Sequence, residues 1–205
     1  MSKKKNWITA ADLMAELNSD AEYLARTKAQ EEAQQKLWDE WAKAEVPLVA
    51  ALKSAGTEVQ TVWDLIQDDK VNPAVIAVLV DHLKRDYPDR IREGIMRALA
   101  TPYARNRWDE LVEIFEHNTT SLSPAIRYVA ALALSGAADE TVLDDVIRLL
   151  RDRRLGFDRA PLLLALIRSK TPEAKMVLLE LRGDPGLGPE VKKWRRLERR
   201  GAPNL

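Results

Sequence analysis

The chain has 205 residues, of which 46% are hydrophobic and 31% are charged, and its 32 basic and 32 acidic side chains cancel. This composition is too apolar for a disordered chain and too charged for a membrane protein, and no run reaches the roughly 18–20 apolar residues of a spanning helix. The basic start Lys3-Lys4-Lys5 is followed by no apolar stretch, so we expect no export signal. Because the chain also lacks cysteine, we expect a cytoplasmic location.

The N-terminal third predicts two helices and a short third one. Thr9 is a suitable N-cap for a short helix that ends near residue 19. A long helix is predicted from Asp20 to Ala55 and stops at Gly56. Pro47 lies inside it and has no backbone N–H to donate, so we expect a kink or break there. Another short helix is expected over Val59–Gln67.

A repeat begins after residue 72. Three segments, 90–99, 125–134 and 158–166, each carry an arginine within the first three residues and close on alanine followed by leucine. The arginines Arg92, Arg127 and Arg159 align, with Lys192 in a weaker fourth copy, at spacings of 35, 32 and 33 residues. A further amphipathic helix is predicted before each copy, at Pro73–Arg85, Arg107–Glu116, Glu140–Arg151 and Pro172–Leu181. A helix pair that recurs at this interval indicates stacking, because one pair cannot bury its own apolar face.

These segments resemble the HEAT-repeat family in its short bacterial form. The matching residues are Asp86 and Ile91-Arg92 in the first copy, Ile126-Arg127 and Ala133-Leu134 in the second, and Arg159 and Ala165-Leu166 in the third. The third copy departs from the pattern with Asp158 in the aliphatic position, and the fourth copy is degenerate. The resemblance implies an all-α fold, a right-handed α-α superhelix of about four helix pairs over residues 71–205. Residues 1–70 are expected to cap it, within one continuous domain.

The resemblance also implies a protein-binding scaffold or adaptor rather than an enzyme. The second helix of each HEAT pair lines the inner face, and tyrosine and arginine are frequent hot spots of protein recognition. The side chains predicted to contact a partner protein are Arg90, Glu93, Arg97, Tyr128, Arg159, Lys193 and Trp194. The alternative is a nucleic-acid-binding protein that uses the basic C-terminal run 192–200, whose affinity would fall steeply with salt.

Catalytic and cofactor motifs are absent from the sequence. His82 and His117 lie 35 residues apart outside any metal-binding pattern, and we expect both to be solvated. The tryptophans of Trp38-Asp39, Trp63-Asp64 and Trp108-Asp109 are expected to pack in the core. HEAT-like DNA glycosylases could use a pair such as Trp108-Asp109, but they need a strongly basic groove that a chain of zero net charge does not predict. We therefore predict no catalytic, metal or cofactor residues.

Overall fold

The computed structural model describes residues 9–66, 71–117 and 123–199, with the side chains of a few of these left out. All regular structure in these ranges is helical and no strand occurs among them, so the all-α prediction is confirmed for this part of the chain. The chain divides into two compact units, residues 1–43 and 44–205.

The first unit contains helix α1 (Ala10–Ser19) and most of helix α2 (Ala21–Ser54). Asp20 caps α2, because its carboxylate accepts hydrogen bonds from the backbone N–H groups of Glu22 and Tyr23 at 2.9 and 3.1 Å. Every side chain from 28 to 40 is exposed, including Trp38 at 45%. The prediction of a buried Trp38 is therefore wrong.

Helix α2 continues through Pro47 and ends at the glycine that the sequence indicated. Of the two outcomes expected at Pro47, the break is wrong, since the helix carries on to Ser54, and the kink stays a prediction. Gly56 has a φ of +85°, and the N–H groups of Gly56 and Thr57 donate to the carbonyls of Lys53 and Leu52 at 3.0 and 3.1 Å. This is a Schellman ending, which needs the left-handed conformation that glycine adopts at little cost.

The second unit begins with the end of α2 and a single 3₁₀ turn. Leu48 and Leu52 are fully buried in the core that also holds the later helices. The predicted helix over Val59–Gln67 is only a 3₁₀ helix, Val62–Leu65, and Gln67 lies outside the described residues. A capping box at Thr61 and Asp64 fixes this short turn.

Four helix pairs follow, close to the predicted positions. They are α3 (Pro73–Leu83) with α4 (Asp89–Ala98), α5 (Trp108–His117) with α6 (Pro124–Ala137), α7 (Leu143–Arg151) with α8 (Leu163–Arg168), and α9 (Pro172–Glu180) with α10 (Gly188–Arg199). Proline stands at the first turn of α3, α6 and α9, where no N–H is needed. The third pair differs from the prediction, because a 3₁₀ segment, Arg153–Leu162, replaces the start of its second helix.

Helix α6 is the most extensively packed helix among the described residues of the second unit. Helix α6 packs against α4 on one side and against the 3₁₀ segment 153–162 on the other. At Gly136 a Cβ would lie only 2.5 Å from the carbonyl oxygen of Ala100, so glycine is required for this close approach. Trp108 of α5 is buried, as predicted, and its indole N–H donates to Asp145 of α7 at 3.0 Å.

Ion pairs also join each first helix to the next. Lys84, at the end of α3, lies 2.9 Å from Glu110 of α5. Arg148 of α7 lies 2.6 Å from Glu116 of α5, and Arg151 of α7 lies 2.7 Å from Glu180 of α9. Exposed pairs of this kind contribute little stability, about 0–1 kcal/mol each. They show that charged side chains of α3 and α5, of α5 and α7, and of α7 and α9 come within ion-pair distance of each other.

The three aligned arginines each meet an aspartate. Arg92 lies 3.1 Å from Asp86 in the loop before its own helix. Arg127 lies 3.2 Å from Asp158, and Arg159 lies 2.9 Å from Asp184. The second and third arginines therefore each contact the copy that follows, whereas Arg92 contacts its own copy.

Candidate functional site

Two exposed aromatic rings lie stacked on the surface of the second unit. Tyr128 of α6 is 40% exposed and Phe157 of the 3₁₀ segment is 50% exposed. Their ring centroids are 6.1 Å apart and the ring planes meet at 20°, an offset stack. We call these two residues the aromatic pair. Exposed rings that contact each other present a larger apolar patch than either could alone.

An ion pair runs alongside the aromatic pair. Arg127 and Asp158 are the chain neighbours of the two aromatic residues, and their charged groups are 3.2 Å apart. The ring stack and the ion pair are thus two contacts that join α6 to the 3₁₀ segment. An apolar centre with a polar rim is the usual anatomy of a protein interface.

The backbone at Gly156 and the buried arginine beside it position Phe157. Gly156 has a φ of +59°, which turns the chain and directs the next side chain outward. The guanidinium of Arg159 donates to the Gly156 carbonyl at 2.9 Å and also to the Leu150 carbonyl and to Asp184. Arg159 is only 2% exposed, so the prediction that it contacts a partner is wrong. It holds the turn that presents Phe157 instead.

A polar groove of about 520 Å³ lies next to this turn. Its lining residues are Phe115, Glu116, Arg127, Asp152, Arg154, Leu155 and Asp158. Hydrogen bonds from the Arg154 side chain and backbone lower the pKa of Asp152 to about 2. Asp152 is therefore ionised at neutral pH and has no proton to donate. The groove therefore presents an ionised Asp152 paired with Arg154.

Three more of the predicted residues lie on α4. The Arg90 guanidinium stands over the Trp63 ring, 4.6 Å from its centroid. Glu93 and Arg97 form an ion pair of 2.8 Å along the helix. Because α4 packs against α6, these side chains and Tyr128 belong to neighbouring second helices. Trp63 is half-buried against the core rather than fully packed in it.

The C-terminal helix contributes less to the described surface. Lys193 is exposed and lies 3.6 Å from Glu190. The side chain of Trp194 and those of the rest of the basic run lie outside the described residues. Neither Lys193 nor Trp194 is brought to the aromatic pair by any described contact, and their role stays a prediction.

Two titratable side chains buried elsewhere in the unit, His82 and Glu45, have structural partners. His82 is buried, contrary to the expected solvation, and its Nδ1 lies 2.8 Å from the Tyr87 hydroxyl. Burial and the nearby Arg85 lower the pKa of His82. Burial raises the pKa of Glu45, whose carboxylate accepts a 2.6 Å hydrogen bond from the Val62 N–H. The side chain of His117 lies outside the described residues.

No helix in the described part of the chain combines the length and apolar character needed to cross a membrane. No group of three histidine, cysteine, aspartate or glutamate side chains among the described residues is placed to hold a metal ion.

Comparison of the chain with protein-family models, with curated proteins and with solved structures finds no match.

Proposed function

We propose that this protein is a binding scaffold of the HEAT-repeat type, whose partner is another protein. The observation that carries the proposal is the exposed aromatic pair on neighbouring second helical segments, Tyr128 and Phe157. Aromatic and arginine side chains supply most hot spots of protein interfaces, because they bury much surface at little entropic cost.

The architecture in this proposal is a right-handed superhelix of four pairs, with the N-terminal segment as its cap. It is supported by the order of contacts. First helices are joined to the next first helix by ion pairs, and second helical segments pack in chain order from α4 to α6 and on to residues 153–162. In a stack of this kind each pair contacts only its neighbours, and the second helices share one face. Residues 44–66, with Leu48 and Leu52 in the shared core, suit the role of a cap.

The partner surface in this proposal has the aromatic pair at its centre. The ion pair Arg127–Asp158 and the groove beside it form the rim on one side. Glu93 and Arg97 of α4 extend the same row of second helices on the other side. Mixed charges around an apolar centre favour a protein partner over a nucleic acid, whose phosphates would require a predominantly basic surface.

Quantitative co-purification from cells of the native host tests the proposal. The tagged chain and its variant Tyr128→Ala/Phe157→Ala are captured in parallel, and bound proteins are quantified by mass spectrometry. We expect the variant to lose a specific protein by at least about tenfold, the usual effect of removing hot-spot rings.

The matched control is Tyr103→Ala, which removes a tyrosine that is more exposed (59%) than either ring of the aromatic pair, from the 3₁₀ helix Pro102–Arg107. This control should retain the partner. A partner site at the aromatic pair would be contradicted if the double variant recovered as much partner protein as the wild type. It would also be contradicted if Tyr103→Ala lost as much partner protein as the double variant.

A further inference from the structure

We propose that a small pocket in the third helix pair, lined by Arg168 and Glu140, binds a free aliphatic α-amino acid in its zwitterionic form. The pocket shares no lining residue with the groove beside the aromatic pair. The inference is therefore independent of the partner surface proposed above.

The pocket has a volume of about 250 Å³ and is lined by residues of α7, of α8 and of the loop before α7. Its apolar lining residues Leu143, Val146 and Ala165 are buried, at 8%, 0% and 8% exposure. The charged lining residues Glu140 and Arg168 are exposed. Typical ligand sites have roughly 300–1,000 Å³, so this pocket suits a small molecule with an aliphatic group at one end and charges at the other.

Arg168, the last residue of α8, supplies a positive charge to the pocket. Desolvation lowers the pKa of Arg168, and no carboxylate in the described part of the chain offsets that effect. Arg148 and Arg151 of α7 differ in this respect, because each forms an ion pair with a glutamate. The Arg168 guanidinium donates one hydrogen bond to the Ser135 carbonyl. A guanidinium has five N–H donors, so Arg168 can also donate to the carboxylate of a ligand.

Glu140 supplies a negative charge to the same pocket. The Ser169 hydroxyl lies 3.0 Å from each carboxylate oxygen of Glu140, and its oxygen accepts from the Thr171 N–H at 3.3 Å. These bonds hold the Glu140 carboxylate at the pocket and leave its charge intact, because a hydroxyl is neutral. The other lining carboxylate, Asp139, is already paired with Arg105 at 3.2 Å.

Opposite charges that line one pocket without pairing with each other are complementary to a zwitterion. A free α-amino acid carries an ammonium group for Glu140 and a carboxylate for Arg168 on the same carbon atom. Its aliphatic side chain would then contact the apolar lining. An internal residue of a peptide lacks both charges and a terminal residue lacks one of them. The ligand would also give the partly desolvated Arg168 a counter-ion.

Isothermal titration calorimetry of the full wild-type chain with L-alanine, L-valine and L-leucine tests this inference. Affinity should rise with the aliphatic group, by about fourfold per methylene. Two analogues keep the aliphatic group of leucine: 3-methylbutylamine lacks the carboxylate and 4-methylpentanoate lacks the ammonium group. Each should bind at least about tenfold more weakly than leucine. The inference is overturned if none of the three amino acids binds at millimolar concentration, or if either analogue binds as well as leucine.

Three variants assign the two charges to their residues. Arg168→Gln should weaken leucine binding by about tenfold and leave 3-methylbutylamine unaffected, since that analogue has no carboxylate. Glu140→Gln should weaken leucine binding equally and leave 4-methylpentanoate unaffected. Lys170→Gln removes an exposed cation outside the pocket lining and is the control, so leucine binding should not change.

Circular dichroism checks that each variant is folded, and the analogue comparison needs only the wild-type chain. The assignment of Arg168 is refuted if Lys170→Gln weakens leucine binding as much as Arg168→Gln does. It is also refuted if Arg168→Gln weakens leucine and 3-methylbutylamine by the same factor.

Discussion

Replacing Asp184 with asparagine perturbs the contact that joins the third and fourth helix pairs. Arg159 and Asp184 are both almost fully buried, and the guanidinium donates to both carboxylate oxygens at 2.9 and 3.0 Å. The amide keeps the shape of the side chain but removes its charge, so the Arg159 cation is left buried without its counter-ion. Breaking one partner of a buried ion pair costs about 3–5 kcal/mol.

We expect the cost to lie near the lower limit, about 3 kcal/mol, for two reasons. Arg159 keeps its hydrogen bonds to the carbonyls of Leu150 and Gly156. The amide oxygen of asparagine can still accept from the backbone N–H groups of Gly186 and Leu187, as the carboxylate does at 2.9 Å. The assay is urea unfolding at pH 7, followed by circular dichroism, with the free energy of unfolding compared between wild type and variant.

The control is Glu180→Gln, which neutralises a carboxylate at the same junction. Glu180 pairs with Arg151 at 2.7 Å, but both side chains are about half-exposed, so solvent already screens the charge. Its loss should not change the unfolding free energy measurably. If both variants have equally small effects, the claim that the Arg159–Asp184 pair holds the junction is refuted.

The pH dependence of the stability of Asp184→Asn tests the direction of the Asp184 pKa shift. Burial alone would raise the pKa of Asp184, but hydrogen bonds from Leu187, Arg159 and Gly186 outweigh it, and the pKa lies below its ordinary value. A carboxyl with a lowered folded-state pKa stabilises the fold above the unfolded-state value, about 3.9, and loses that contribution as the pH falls through the folded-state pKa. The difference between wild type and Asp184→Asn should therefore be constant near neutrality and shrink below about pH 4.

Two further variants test the packing of the second unit by urea unfolding. Gly136→Ala places a Cβ 2.5 Å from the Ala100 carbonyl oxygen and should lower the free energy of unfolding by about 1–3 kcal/mol. Gly183→Ala is the control, because its Cβ would meet no atom within 4 Å and the substitution should be tolerated. Equal effects of the two variants would contradict the close approach at Gly136. Glu45→Gln should stabilise the protein at pH 7, because the raised pKa of the buried Glu45 carboxyl makes its ionisation unfavourable, and the gain should vanish below about pH 4. A loss of stability at pH 7 would show instead that the hydrogen bond to the Val62 N–H needs the full charge.

Local sequence signals were sufficient for most helix boundaries. Proline at the first turn of α3, α6 and α9 and the glycine after α2 are local rules, and they act whatever the surroundings. Pro47 does not end its helix. The helix continues through it to Ser54, and the following Leu48 and Leu52 are anchored in the core, so packing compensates for the missing hydrogen bond.

Burial of single polar and aromatic residues was not predictable from the sequence. The repeat aligned Arg159 with the other arginines, but the partner that buries it, Asp184, lies 25 residues further along the chain. His82 was expected at the surface. Only the structure shows that it is buried and that its ring nitrogen is hydrogen-bonded to the Tyr87 hydroxyl. These outcomes depend on which side chains meet in space, and spacing along the chain does not determine that.

The candidate site was half predicted. Tyr128 follows directly from its position in the second helix, but Phe157, in the 3₁₀ segment Arg153–Leu162, was not among the predicted residues. The signal was nonetheless present, since a phenylalanine in a polar loop, directly after a glycine and among arginines, has no core to enter. Such an isolated aromatic residue favours a surface role.

Position-specific cross-linking in the native host tests the central claim most directly. A photoreactive phenylalanine analogue placed at Phe157 should form a discrete covalent adduct with one protein, and the same analogue at Tyr103 should not form it. The account predicts that mass spectrometry identifies the same protein from position 128. Identical adduct patterns at 157 and 103, or no adduct at 157 and 128, would contradict the assignment of the aromatic pair as a partner site.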